Sequence, residues 1–283
     1  MSSRKTRALI AQETLVLLAQ GHYSLPDGST VFLKEEQQRA VENTREYNPS
    51  QLNKLYASLL PPENPQSTEF RVENCTTFAA ARALAESDPE ADVLCLNFAS
   101  AKNPGGGFLN GSQAQEESLA RASGLYPCIN PMRTYYETNK QCGTSLYTHH
   151  MIHSPLVPVF REDKDELIEK PYFTSILTAP AVNAGAVRNN ESHHVWRIPE
   201  VMDERTAYVL AVARAHGHDT LVLGAWGCGV FRNDPEEVAE LFRRHLTEND
   251  RFRGAFRRVV FAVLDRSKGL ETIEPFHNKF SGI

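Results

Sequence analysis

Two adjacent carboxyls, Glu116 and Glu117, stand a short way after three consecutive glycines, Gly105, Gly106 and Gly107. A glycine triplet lets backbone come close to another group, because no side chain intervenes. A carboxyl beside such a platform can reach the glycosidic oxygen of a sugar lying on it, and the chemistry that follows is acid–base hydrolysis. Asn103 and Pro104 lead into the glycines, and residues 108–114 separate them from Gln115-Glu116-Glu117. Acidic residues in a first helical turn also simply complement the helix dipole. The pairing with the glycines is what points to chemistry.

A second glycine-rich segment runs Gly224-Ala225-Trp226-Gly227-Cys228-Gly229-Val230-Phe231, between the apolar Leu221–Leu223 and Asp234-Pro235. Backbone N–H groups in such a turn, aimed at a helix start, bind phosphate. A tight strand-to-helix turn explains the same residues. The segment lacks the Gly-Lys-Ser/Thr ending of a nucleoside-triphosphatase loop. It also comes late in the chain without the acidic partner strand of a dinucleotide-binding oxidoreductase. His149, His150 and His153 include an i, i+4 pair, but no glutamate completes a His-Glu-x-x-His zinc motif. His193 and His194 have no evident partner. Neither a metal nor a cofactor is expected, and there is no serine-centred nucleophile elbow.

These residues need elements to hold them. Residues 4–20 read as a helix, Glu35–Tyr47 as a second, and Pro49–Tyr56 as a further turn, before Pro61, Pro62 and Pro65 interrupt the chain. From Phe70 the pattern changes to strands alternating with helices. Strands are predicted at Phe70–Glu73, Asp92–Phe98, Met151–Phe160, Tyr172–Val182, Thr220–Leu223 and Arg258–Leu264. Helices are predicted at Thr77–Ala85, Gln115–Ala122, Asp203–His216 and Pro235–Leu246. Asp92–Phe98 is a continuous apolar run of the kind buried on both faces. Such alternation predicts an α/β fold, a mixed, mostly parallel sheet between helices. Ligands of these folds sit at the carboxyl ends of strands, where both glycine-rich segments fall. The reading divides the chain into an N-terminal helical extension, 1–66, packed on a catalytic domain, 67–283.

With 41% hydrophobic residues, 283 residues supply a sizeable core. A formal charge of -5 argues against broad, sequence-specific or non-specific nucleic-acid binding, so any polyanion must be gripped locally. The basic, then apolar N-terminus is interrupted by Gln12 and Glu13 and offers no small-residue cleavage site. No stretch has the apolar length of a membrane span. Cys75, Cys95, Cys128, Cys142 and Cys228 form no Cys-x-x-Cys pair, and reduced thiols in a cytoplasmic protein are expected.

The Gly-Gly-Gly, short spacer and Gln-Glu-Glu closely resemble the signature of the poly(ADP-ribose) glycohydrolases, in the compact bacterial and fungal form. The resemblance spans roughly residues 70–265 and implies a macrodomain-like three-layer fold. It implies hydrolysis of ribose–ribose bonds in poly(ADP-ribose), with Glu117 as acid and base and Glu116 orienting the ribose. The same analogy makes Gly105, Gly106, Gly107, Gln115 and Asn103 the sugar side of the pocket. Gly227, Cys228, Gly229 and Val230 become the diphosphate loop, and Phe231 packs on the distal ribose. Glu73 or Asn74 would read the adenine edge, though a helix N-cap by Asn74 or Thr76 accounts for that stretch equally well. Asn183 either lines the pocket or begins a turn. The expected partners are poly(ADP-ribose), ADP-ribose and ADP-ribosylated carrier proteins, handled by a monomer in the DNA damage response, with cutting from chain ends. A non-catalytic ADP-ribose reader and a mono-ADP-ribosyl-protein hydrolase are the rival functions. The second carboxylate argues against the reader.

Overall fold

The computed structural model describes residues 3–283. Helix α1 (Arg4–Gln20) starts where the Ser3 hydroxyl accepts the Thr6 N–H at 3.1 Å and ends at Gly21, left-handed at φ 76°. An antiparallel ribbon of β1 (His22–Ser24) and β2 (Thr30–Phe32) leads to α2 (Lys34–Asn43). The sequence predicts helix to Tyr47, but the chain turns out at Thr44, whose hydroxyl donates to the Ala40 carbonyl at 2.7 Å. Residues Arg45–Tyr47 then form an edge strand, β3, antiparallel to Met151–His153. Helix α3 (Pro49–Ser58) follows, closed by a reciprocal Asn48–Gln51 capping box.

The remaining elements are β4 (Glu69–Glu73), α4 (Thr77–Ser87), β5 (Val93–Phe98), α5 (Gln115–Ala122), α6 (Leu125–Ile129), α7 (Arg133–Gln141) and β6 (Met151–Arg161). After them come β7 (Leu167–Ala179), α8 (Ala184–Asn190), α9 (Ile198–Ala215), β8 (Thr220–Leu223), α10 (Pro235–Thr247), β9 (Arg258–Ala262) and α11 (Glu274–Phe280). The main sheet has the order β3-β6-β7-β5-β8-β9-β4. Strands β7, β5, β8, β9 and β4 are mutually parallel, and β6 and β3 run antiparallel at one side. Five carboxyl ends therefore share one edge.

Alternate residues of the central strands feed two cores. Leu94, Leu96, Leu177, Leu221 and Phe261 pack with Leu210, Phe242 and Phe276 of α9, α10 and α11. Val93, Cys95, Ile176, Val222 and Val260 pack on the opposite face with Phe78, Leu119, Leu125 and Tyr135 of α4, α5, α6 and α7. This is the three-layer arrangement that the strand–helix alternation implies. Helix α7 was not foreseen, because its sequence is polar and only Tyr135, Tyr136 and Asn139 are buried.

The N-terminal helix braces the site's own loop. Arg4 Nε and Arg7 Nε donate to the carbonyls of Asn110 and Gly111 at 3.0 and 2.9 Å, and Thr14 donates to the Arg121 carbonyl at 2.8 Å. Ala11 packs with Phe108 and Ala120 between these ties. Among the described residues, no helix is long and apolar enough to cross a membrane.

Candidate active site

Helix α5 begins directly beside the end of β5, and Gln115 makes the join. Its side-chain oxygen accepts the Phe98 N–H at 2.8 Å, and its nitrogen donates to the Leu96 carbonyl at 2.7 Å and the Thr77 hydroxyl at 3.0 Å. The amide foreseen as a sugar contact is spent on protein partners. Its work is to fix where the next two side chains point.

Glu116 points inward and is 3% exposed. One oxygen takes the Ser100 N–H at 2.6 Å, and the other lies 3.4 Å from the Asn97 side-chain nitrogen. Burial without a cation pushes this carboxyl up to about 8, the Ser100 N–H opposes that rise, and the neighbouring Glu117 carboxylate adds to it. Glu116 is consequently neutral at the pH where most carboxyls are charged. Glu117 is only partly buried, and its oxygens accept the N–H groups of Gly107 at 3.0 Å and Ala114 at 2.9 Å. It thus caps its own helix while facing the glycine loop.

That loop turns through left-handed Gly105 and Gly106, at φ 66° and 58°. A Cβ at Gly106 would collide with the Glu117 carboxylate and crowd Glu116 Oε2 at 3.2 Å. A Cβ at Gly105 would meet the Phe108 ring at 2.8 Å, and one at Gly107 the Ser112 hydroxyl at 2.5 Å. Gly106 leaves room for the two carboxyls, and Gly105 and Gly107 leave room for Phe108 and Ser112. Asn103 holds the turn by accepting the Gly106 N–H on its carbonyl at 3.0 Å.

The second glycine-rich loop crosses from β8 toward the end of β7. Trp226 Nε1 donates to the Ala179 carbonyl at 3.1 Å, Asn233 donates to the Val182 carbonyl at 2.7 Å, and the Gly185 N–H reaches the Phe231 carbonyl at 2.9 Å. A side chain at Gly227, φ 75°, would strike Asn233 and Ala181, whereas one at Gly229 meets nothing within 4 Å. The N–H groups of Gly229, Val230 and Phe231 have no backbone acceptor among the described residues. Burial pushes the Cys228 thiol well up, away from the thiolate form that a nucleophile needs.

At the far end of the shared edge, Glu73 closes β4. The Asn74 amide exchanges two 2.9 Å hydrogen bonds with the Asp265 backbone, leaving Glu73 the freer of the two adenine candidates. Thr76, not Asn74, caps α4. Asn183 begins a helix, its side chain accepting the Ala186 N–H at 3.0 Å. His149 sits 3.2 Å from Glu204, and His153 pairs with His218 at 2.9 Å. Two residues of the site escaped the sequence reading, Asn97 and Ser100. An amide inside an otherwise apolar strand was the available signal for Asn97. Ser100 acts through its backbone, which no side-chain pattern reveals.

Comparison with known proteins places the arrangement. A family model described as "Microbial-type PARG, catalytic domain" matches residues 11–162. The solved poly(ADP-ribose) glycohydrolase from Thermomonospora curvata is 44% identical over 98% of this chain and 100% of that one, with a TM-score of 0.93. Its complex with the inhibitor ADP-HPD is likewise 44% identical over 98% and 100%, at a TM-score of 0.90. The enzyme from Deinococcus radiodurans in complex with ADP-ribose is 43% identical over 87% of this chain and 98% of that one, at 0.82. Among curated proteins, none matches.

The raised Glu116 carboxyl makes a thermodynamic test. A carboxyl whose folded value lies above its unfolded one stabilises the fold below the unfolded value and loses that contribution as pH rises through the folded one. Here the window runs from 4.5 to about 8. Glu116→Gln removes this titration, so the melting temperature of the variant minus that of the parent should grow as pH rises across the window. A difference that stays flat or shrinks would show that Glu116 is not held neutral.

Proposed function

The chain belongs to the microbial-type poly(ADP-ribose) glycohydrolase family and is a glycosidase, and on that premise we propose how its residues cut the polymer. Glu117 is the acid and base. Both carboxyls accept N–H groups of the protein, but Glu117 is the partly exposed member of the pair and faces the glycine loop, whereas Glu116 is only 3% exposed. That asymmetry carries the reading. Adjacent residues on a helix diverge by about 100°, so the two cannot flank a bond from opposite sides as in the usual two-carboxylate scheme. A single glutamate works twice.

In the first half-reaction Glu117 gives its proton to the leaving ribose oxygen as the glycosidic C–O bond breaks, leaving an oxocarbenium-like sugar. The resulting carboxylate then takes a proton from the water that attacks the anomeric carbon. Neutral Glu116 offers a hydroxyl that can donate to a ribose hydroxyl and orient the sugar. The terminal diphosphate lies on the open N–H groups of Gly229, Val230 and Phe231, with Phe231 against the distal ribose. Adenine lies toward Glu73. Relatives solved in complex with ADP-ribose and with the inhibitor ADP-HPD support a site for a ligand of this kind. We further propose a cytoplasmic, monomeric enzyme, consistent with five free cysteines, that clears polymer from ADP-ribosylated proteins in the DNA damage response.

In this reading the site takes the terminal ADP-ribose unit, so cutting proceeds from chain ends. With size-resolved products, monomeric ADP-ribose should dominate from the first turnovers. Abundant mid-length oligomers at low conversion would contradict end-cutting. The diphosphate placement has its own probe in Gly229, where an added Cβ meets nothing within 4 Å. Gly229→Glu should fold normally yet weaken ADP-ribose binding by about a hundredfold or more, since a carboxylate would stand where a dianion rests. Calorimetry showing parent affinity would remove this loop from the site.

A further inference from the structure

Tyr147 is a non-glycine residue in the left-handed region, at φ 57°. Such a conformation is unfavourable and persists only where its surroundings over-determine it. Here they do. Arg205, 0% exposed, sends its guanidinium to the carbonyls of Pro180 and Leu146, both at 2.9 Å, and of Tyr147 at 3.2 Å. Glu191 accepts the Ser145 N–H at 2.8 Å and Asn139 accepts the Thr148 N–H at 2.8 Å. The fold thus spends a fully buried arginine on carbonyl groups to hold one strained tyrosine at the carboxyl end of β7.

What Tyr147 faces suggests why. Its ring centroid lies 6.1 Å from that of Phe231, and the Lys102 ammonium, carried by the glycine-rich loop beside Glu117, stands 5.8 Å from the Tyr147 ring centroid. Along the shared edge the order is β7, β5, β8. With the diphosphate on the loop after β8 and the sugar at Glu117 after β5, the polymer beyond the scissile bond continues toward β7. Tyr147 and Lys102 occupy that side. Aromatic faces stack sugars and bases of nucleic-acid-like chains, and an ammonium neutralises a phosphate.

We propose that Tyr147 and Lys102 form a subsite for the polymer-side ADP-ribose unit next to the bond being cut, the ring stacking on it and the ammonium meeting its phosphate. The subsite rests on the functional reading above and adds to it a contact that free ADP-ribose never makes. A ligand that ends at the scissile bond should not sense these residues, whereas polymer should.

The test compares poly(ADP-ribose) turnover with equilibrium binding of free ADP-ribose for the parent, Lys102→Glu, Tyr147→Gly and Tyr147→Phe. Tyr147→Gly relieves the backbone strain as it removes the ring, so it is expected to fold. For Lys102→Glu and Tyr147→Gly the KM for polymer should rise roughly five- to twentyfold, a range set by single stacking and phosphate contacts. Their ADP-ribose Kd should stay within about twofold of the parent, a shift below that of a single contact. Tyr147→Phe, which keeps the ring, should retain most of the parent KM. Parent-like polymer KM in both Lys102→Glu and Tyr147→Gly overturns the subsite. An ADP-ribose Kd that rises as much as the polymer KM overturns it too, by assigning the residues to the terminal unit. A parent that binds ADP-ribose but leaves polymer intact refutes the glycohydrolase reading itself, and that outcome is distinct from the other two.

Discussion

A carboxyl buried without a cation is among the costlier things a fold can hold, and it survives by staying protonated and by finding hydrogen-bond donors. Glu116 does both, with the Ser100 N–H at 2.6 Å and the Asn97 amide at 3.4 Å. Much of the surrounding chain follows from that constraint. Gln115 must lock the start of α5 to the end of β5, or the carboxyl would not meet those donors. Gly106 must lack a side chain, or Glu117 could not lie beside Glu116. The N-terminal helix must hold Asn110 and Gly111, since they close the loop that joins the glycines to the catalytic helix. The site is built here by arranging donors around one group that should not be charged.

The two glycine-rich loops arise on different strands, β5 and β8, and the second is tied to the end of β7 and the chain just past it. The carbonyls of Ala179, the last residue of β7, and of Pro180 and Val182 just past it each receive a buried side-chain donor, from Trp226, Arg205 and Asn233 respectively. Unmet buried carbonyls would each cost about 1–3 kcal/mol. Satisfying them with residues from α9 and the second loop ties that loop's position to β7. In the proposed placement a sugar on one loop and a diphosphate on the other would be kept in one fixed geometry, which acid–base catalysis requires.

Much of this was legible in the residues themselves. Strand–helix alternation from Phe70 onward gave the layers, because strands buried on both faces carry continuous apolar runs. The Gly-Gly-Gly and Gln-Glu-Glu segments marked the chemistry. Other features were not legible. The edge strand at Arg45–Tyr47 reads as helix, since its pairing depends on a strand a hundred residues away in the chain. Helix α7 hides behind polar residues and declares itself only through the burial of Tyr135 and Tyr136. The structural partners of Gln115 and Gly106 were hidden too, because spacing says which residues meet but not which polar atoms they satisfy or how much room they leave. Arg205 and the left-handed Tyr147 leave no pattern in the sequence at all.

The division of labour between the two glutamates is the central claim, and Glu117→Gln tests it most directly. The amide keeps the shape of the side chain and can still accept the Gly107 or Ala114 N–H, but it cannot transfer a proton. Turnover on poly(ADP-ribose) should fall by about 10²–10⁴-fold, the usual cost of losing a general acid, and toward the upper end because one group serves both half-reactions. Equilibrium affinity for ADP-ribose should stay within roughly tenfold, about 1.4 kcal/mol, because the diphosphate contacts lie elsewhere. A Glu117→Gln enzyme that turns over polymer near the parent rate would mean that another residue supplies the proton.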